Sequence, residues 1–101
     1  MKQIIMTAEV SGLPKYSVSC CTHDALYQKN IRPEHAAKYW VLGFIGSVAG
    51  MDVFRNSKVT FTLTTHKGAH LYRFAQYINP KSEEDLAKFW IPVVTKYISE
   101  N

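Results

Sequence analysis

Apolar and polar side chains alternate from the start of the chain. Over residues 2–10, Ile4, Met6, Ala8 and Val10 fall on one side, which is the period of a half-buried strand. Residues 15–22 alternate again, with Tyr16, Val18 and Cys20 set against Ser17, Ser19 and Cys21. Between the two runs Ser11-Gly12-Leu13-Pro14 supplies turn chemistry, so the pattern predicts an antiparallel hairpin. Residues 23–32 have no clear period, and Ala25-Leu26-Tyr27 either extends a third short strand or lies in a loop.

The period then changes to that of a helix, predicted over residues 33–49. Pro33 suits the first helical position, where its missing N–H costs nothing, and Glu34 complements the positive end of the helix dipole. Beyond Lys38 the segment is apolar nearly all round, through Trp40, Val41, Leu42, Phe44, Ile45 and Val48. A helix without a polar face is expected to be central and packed on several sides. Gly43, Gly46 and Gly50 each cost about 1 kcal/mol of propensity inside a helix, and the expected compensation is close approach of another backbone, most plausibly a sheet.

Val59, Phe61 and Leu63 alternate with Thr60, Thr62 and Thr64, predicting a strand over residues 59–65 with a threonine face turned to solvent. Residues 69–78 admit two readings. In one, His66-Lys67-Gly68 is a hairpin loop with its glycine in the left-handed position, and the chain returns as a strand. In the other, Leu71, Phe74, Ala75 and Ile78 form the inner face of a helix, with Arg73 and Gln76 outward. Counting apolar positions favours the helix. Asn79-Pro80 ends the segment, and Ser82 with Asp85 three residues on reads as a capping box that opens a helix over residues 82–99. Glu83 and Glu84 complement the dipole there, while Pro92 predicts a kink, or a restart near Ile91. The expected architecture is α+β: an antiparallel sheet of three to four strands, packed against the 33–49 helix and the C-terminal helix. Trp40, Phe44, Phe61, Leu63, Phe89 and Trp90 are the expected core.

Composition narrows the class without naming a function. A chain of 101 residues with 47% hydrophobic and 20% charged residues is one domain's worth of ordinary globular protein, not a disordered segment. The apolar run at Ile4-Ile5-Met6 is too short for a secretory leader. The longest uncharged stretch, Tyr39 to Met51, is thirteen residues against the ~20 that a bilayer requires, so no membrane span is expected. Cys20 and Cys21 are adjacent on a strand and would point to opposite faces, which disfavours a disulfide between them. Without a disulfide framework or export signal, the expected compartment is the cytosol.

Candidate chemistry is sparse. His66 and His70 have the spacing of two ligands on one helix, but Gly68 lies between them, and Cys20, Cys21 and His23 lack the Cys-x2-Cys pair of structural zinc sites. Glu9, Asp24, Glu34 and Asp52 are scattered, and no phosphate-binding glycine loop or nucleophile elbow is present. No metal, no cofactor and no catalytic residue are expected, and the protein leans away from being an enzyme. The net charge of +4 is unevenly spread: residues 39–80 carry +3 through Arg55, Lys58, Lys67 and Arg73 against Asp52. With Tyr72 and Tyr77 interleaved, that region has the residue types that track a phosphate backbone and stack bases.

Ile4-Ile5-Met6-Thr7-Ala8-Glu9 in a strand, turn, strand and long apolar helix, followed by Thr62-Leu63-Thr64-Thr65-His66 running into the helical reading of 69–78, is similar to the early part of a ribonuclease H-type fold. In that family an aspartate binds metal at the end of each such strand. The matching positions here hold Ala8 and His66, with Glu9 one residue off, so the likeness implies a degenerate member without an intact metal site. The leading expectation is a small non-enzymatic binding or regulatory protein that meets a protein partner. Tyrosine, of which there are six, is favoured at such interfaces. A basic nucleic-acid-binding module is the alternative. For either, the expected contact residues are Arg55, Lys58, Thr60, Thr62, Thr64, Lys67, Tyr72 and Arg73, with a peptide able to pair along 59–65 if that strand is an edge.

Overall fold

The computed structural model describes residues 3–22, 32–79 and 83–99. The possible strand at 25–27, the cap at Ser82, and His23 beside the two cysteines lie outside them. In chain order the elements are β1 (Ile4–Val10), β2 (Leu13–Cys21), α1 (Pro33–Ala49), β3 (Ser57–Thr65), β4 (His70–Ile78) and α2 (Glu83–Ser99). The strands form one sheet in the order β2-β1-β3-β4, with every neighbouring pair antiparallel.

The β1–β2 hairpin turns at Gly12, whose φ of 83° belongs to the left-handed region that glycine enters without strain. At the hairpin's far end Thr22 is buried. Its hydroxyl accepts from the Ile4 N–H at 2.9 Å and its own N–H donates to the Ile4 carbonyl at 2.9 Å. β1 next pairs with β3 so that Met6 faces Leu63, Ala8 faces Phe61 and Val10 faces Val59. These side chains share one face of the sheet, and both helices lie over it. Trp40 of α1 donates its indole N–H to Cys20 Sγ on β2 at 3.2 Å, while Trp90 of α2 lies 5.5 Å from the Phe61 ring. α1 therefore covers the β2 side and α2 the β4 side. Of the expected core, Trp40, Phe44, Phe61, Leu63 and Trp90 are buried and Phe89 is half-buried against it. Phe54, in the turn after α1, is fully buried as well.

The structure departs from several expectations. Residues 70–78 form a strand, not a helix: Tyr72, Phe74, Gln76 and Ile78 lie opposite Leu63, Phe61, Val59 and Ser57. The His66-Lys67-Gly68 turn closes this hairpin, with Gly68 at φ 91° and the Thr65 N–H bonded to the Ala69 carbonyl at 2.9 Å. The helix that completed the likeness to a ribonuclease H-type fold is thus a strand. β3 sits between β1 and β4, so both of its backbone edges are already paired and no peptide can add there. α2 runs as one helix through Pro92 without restarting. Pro92 and Lys88, whose carbonyl would have received the missing N–H, are both exposed, so water can serve that carbonyl.

The helical glycines meet no sheet. A Cβ on Gly43 would find nothing within 4 Å, and one on Gly46 would meet the side chain of Glu83 at 3.3 Å. Nor is α1 enclosed on several sides. Ala36, Ala37, Trp40, Val41, Phe44, Ile45 and Val48 are buried, whereas Tyr39 is 73% and Leu42 43% exposed.

Candidate functional sites: an open sheet face and an apolar flank

The sheet face turned away from the helices carries most of the sequence-derived candidates. Across its middle runs a row of polar residues, Ser19, Thr7, Thr62 and Arg73, each opposite the next on successive strands. Thr7 and Ser19 share a hydroxyl hydrogen bond of 2.8 Å. The adjacent row is Ser17, Glu9, Thr60 and Ala75. Lys58 pairs with Tyr77 and so shares this face, where Tyr77 is 67% exposed.

The eight candidates do not form one site. Lys58, Thr62, Thr64 and Arg73 lie together on the open face, with Thr62 and Thr64 half-buried. Thr60 shares the face but is buried, its hydroxyl 2.7 Å from that of Ser11. Lys67 stands in the turn beyond the far end of β3, about 25 Å along the strand from Lys58. Arg55 belongs to the turn after α1, where it meets Asp52 at 3.6 Å. Tyr72 faces the helices and packs edge-on against Trp90 at 5.6 Å, so it offers no ring to a base. Among the described tyrosines, Tyr77 is the one that reaches the open face.

The second surface was not anticipated. α1 and β2 form a flank at which Tyr39 and Met51 are exposed, while Leu42 is exposed on the next side of α1 beside His35 and Lys38. Set into the flank is a groove of about 420 Å³ walled by Val18 and Cys20 of β2 and by Tyr39, Trp40, Gly43, Phe44 and Ser47 of α1, with Met51 also lining it. Gly43 opens the groove, because any larger residue would put a side chain there. The apolar pattern of α1 beyond Lys38 was its sequence signal, since Tyr39 and Leu42 stay exposed among the described residues.

Chemistry finds little purchase. Among the described residues no three of His, Cys, Asp and Glu come together as a metal site, and no helix is long and apolar enough to cross a membrane. Cys20 faces the helices and Cys21 the open side, as neighbours on a strand must. Ala8, which has no ligating atom, is buried in the core, and His66 is exposed in the β3–β4 turn. No family model, curated protein or solved structure matches the chain.

Proposed function

We propose that this is a small non-enzymatic binding protein that engages a protein partner through the flank formed by α1 and the β2 edge. The observation that carries the reading is that Tyr39 of α1 stands exposed at a groove lined by Trp40, Phe44 and Met51, with Leu42 exposed on the neighbouring side of the helix next to His35 and Lys38. Burying such side chains contributes about 25 cal/mol per Å² of apolar surface, and aromatic anchors in pockets dominate protein interfaces. The test is affinity capture from the native host with nuclease treatment, comparing the wild-type chain with a Tyr39→Lys/Leu42→Lys variant. Both residues are exposed, so the variant should melt within a few degrees of wild type while losing the captured protein. Undiminished capture by the folded variant would sink the reading.

Nucleic-acid binding is a second reading with its own surface, supported by Lys58, Arg73 and Tyr77 on the open face. Cations beside an exposed ring could follow a single strand and stack a base. Fluorescence anisotropy of a labelled single strand would test it. The affinity should fall with salt and weaken in Lys58→Glu/Arg73→Glu, and binding indifferent to both would exclude it.

A further inference from the structure

Separately from the flank, we propose that the outer edge of β4, at the opposite side of the sheet, takes up an acidic extended peptide as an additional strand. The direction of the backbone groups carries this. The Lys58 carbonyl points to the β1 side, where it accepts from the Ser11 N–H at 2.9 Å. Direction alternates along a strand, so Val59, Phe61 and Leu63 turn their backbone groups to β4, toward Gln76, Phe74 and Tyr72. Arg73, Ala75 and Tyr77 therefore present their N–H and C=O groups outward. Pairing is unbroken from Ser57↔Ile78 to Leu63↔Tyr72, and its irregularity lies beyond, between Leu63 and Thr64. The edge from Tyr72 to Ile78 contains no proline. Before it, the Leu71 carbonyl is already taken by Tyr97 Oη at 3.0 Å. Among the described residues no such bond reaches the outward groups of Arg73, Ala75 or Tyr77.

The side chains specify the occupant. Arg73 is exposed on the open face at this edge, and Lys58 stands one strand in, beside Tyr77. Lys96 lies 5.4 Å above the ring of Tyr97, near the Leu71 end of the same strand. Among the described residues none of these three cations meets a carboxylate. Glu9, on the same open face, is on β1, two strands and about 10 Å from β4. On the helix face Phe74 is 42% exposed, with its ring 5.0 Å from that of Phe89. A strand paired to Arg73, Ala75 and Tyr77 sends alternate side chains to these two faces. It fits best with acidic residues opposite Arg73 and Ala75 and an apolar residue between them, against Phe74. A second copy of the chain supplies no acid from its own Tyr72–Ile78 and brings another net charge of +4. A nucleic acid would use the cations but leave Phe74 and the outward carbonyls unmatched.

The experiment is fluorescence anisotropy of a labelled peptide of alternating glutamate and valine, beside the same peptide with lysine for glutamate. Wild type is expected to bind the glutamate peptide about ten-fold tighter than the lysine peptide or better. Ala75→Pro removes an outward N–H, a position where an edge strand tolerates proline, so it should fold. It should bind the glutamate peptide about ten-fold more weakly, since the central backbone bond is gone. Arg73→Glu changes only an exposed side chain and should turn the preference toward the lysine peptide, which keeps the proposal testable if Ala75→Pro does not fold. Failure of wild type to bind the glutamate peptide overturns the proposal, as does undiminished binding by folded Ala75→Pro. So does a labelled single strand of nucleic acid that binds through Arg73 where the peptide does not, or a dimer of the chain that Ala75→Pro dissociates. Tyr39→Lys/Leu42→Lys should bind the peptide as wild type does. Peptide loss in that variant would place the site on the flank and overturn the edge, whereas undiminished capture of a protein by it would sink the flank reading alone.

Discussion

At the scale of single residues, the contact between Trp90 and Gln76 shows why local pattern misjudged this part of the chain. Gln76 is polar and stands among residues that fit a helical face, so it reads as an outward position. In the structure it lies on the inner face of β4 opposite Val59, and its Oε1 accepts the indole N–H of the fully buried Trp90 at 3.0 Å. An aromatic residue of this size is buried without penalty only if its N–H finds an acceptor. Replacing Gln76 by leucine keeps the volume and removes that acceptor. The orphaned N–H should then cost about 1–3 kcal/mol, read as a lower urea midpoint at unchanged m-value. A loss under about 0.5 kcal/mol would mean that water reaches the indole. Thr22 plays a comparable part at the other end of the sheet, where its hydroxyl and amide satisfy Ile4.

At the scale of elements, α2 carries an internal proline that its surroundings tolerate but do not require. Pro92 is exposed and removes the bond to the Lys88 carbonyl, a defect of about 3 kcal/mol in a helix interior when nothing compensates. Pro92→Ala should therefore raise stability by about 1–3 kcal/mol, measured by urea titration. A decrease would show that proline at this position helps to seat Phe89 and Trp90 on β4. Elements whose period is local were legible in the sequence. Pro33 marks the start of α1, and strict alternation marks β1 and β3. β4 was not legible, because Leu71, Phe74, Ala75 and Ile78 share one face at a helical period but split between two faces at a strand's, and pairing with β3 overrides that local pattern through contacts far apart in sequence. The threonine face of β3 was legible for the same reason as β3 itself. Its place inside the sheet was not, since edge or interior is a property of strand order, which no single segment encodes.

At the scale of the whole molecule, the two-layer arrangement separates the two candidate surfaces. Helices cover one side of the sheet, and the open face with Lys58, Thr62 and Arg73 is on the other. The apolar flank lies along β2 and the uncovered side of α1. Lys58 and Arg73 sit on β3 and β4, with β1 between them and β2. Strands are about 4.8 Å apart and a helix packs about 10 Å from a sheet, so Tyr39 and Leu42 are more than a van der Waals contact from either cation. Changes at sites this far apart with no shared partner add within about 0.5 kcal/mol. Combining Tyr39→Lys/Leu42→Lys with Lys58→Glu/Arg73→Glu should therefore change stability by the sum of the two double variants, read by urea titration. Binding should divide in the same way, with the flank variant alone responsible for loss of a protein partner and the open-face variant alone for loss of a nucleic acid. Coupling above about 1 kcal/mol, or one ligand lost equally through either pair, would mean that the sheet transmits between its two sides and that the surfaces act as one.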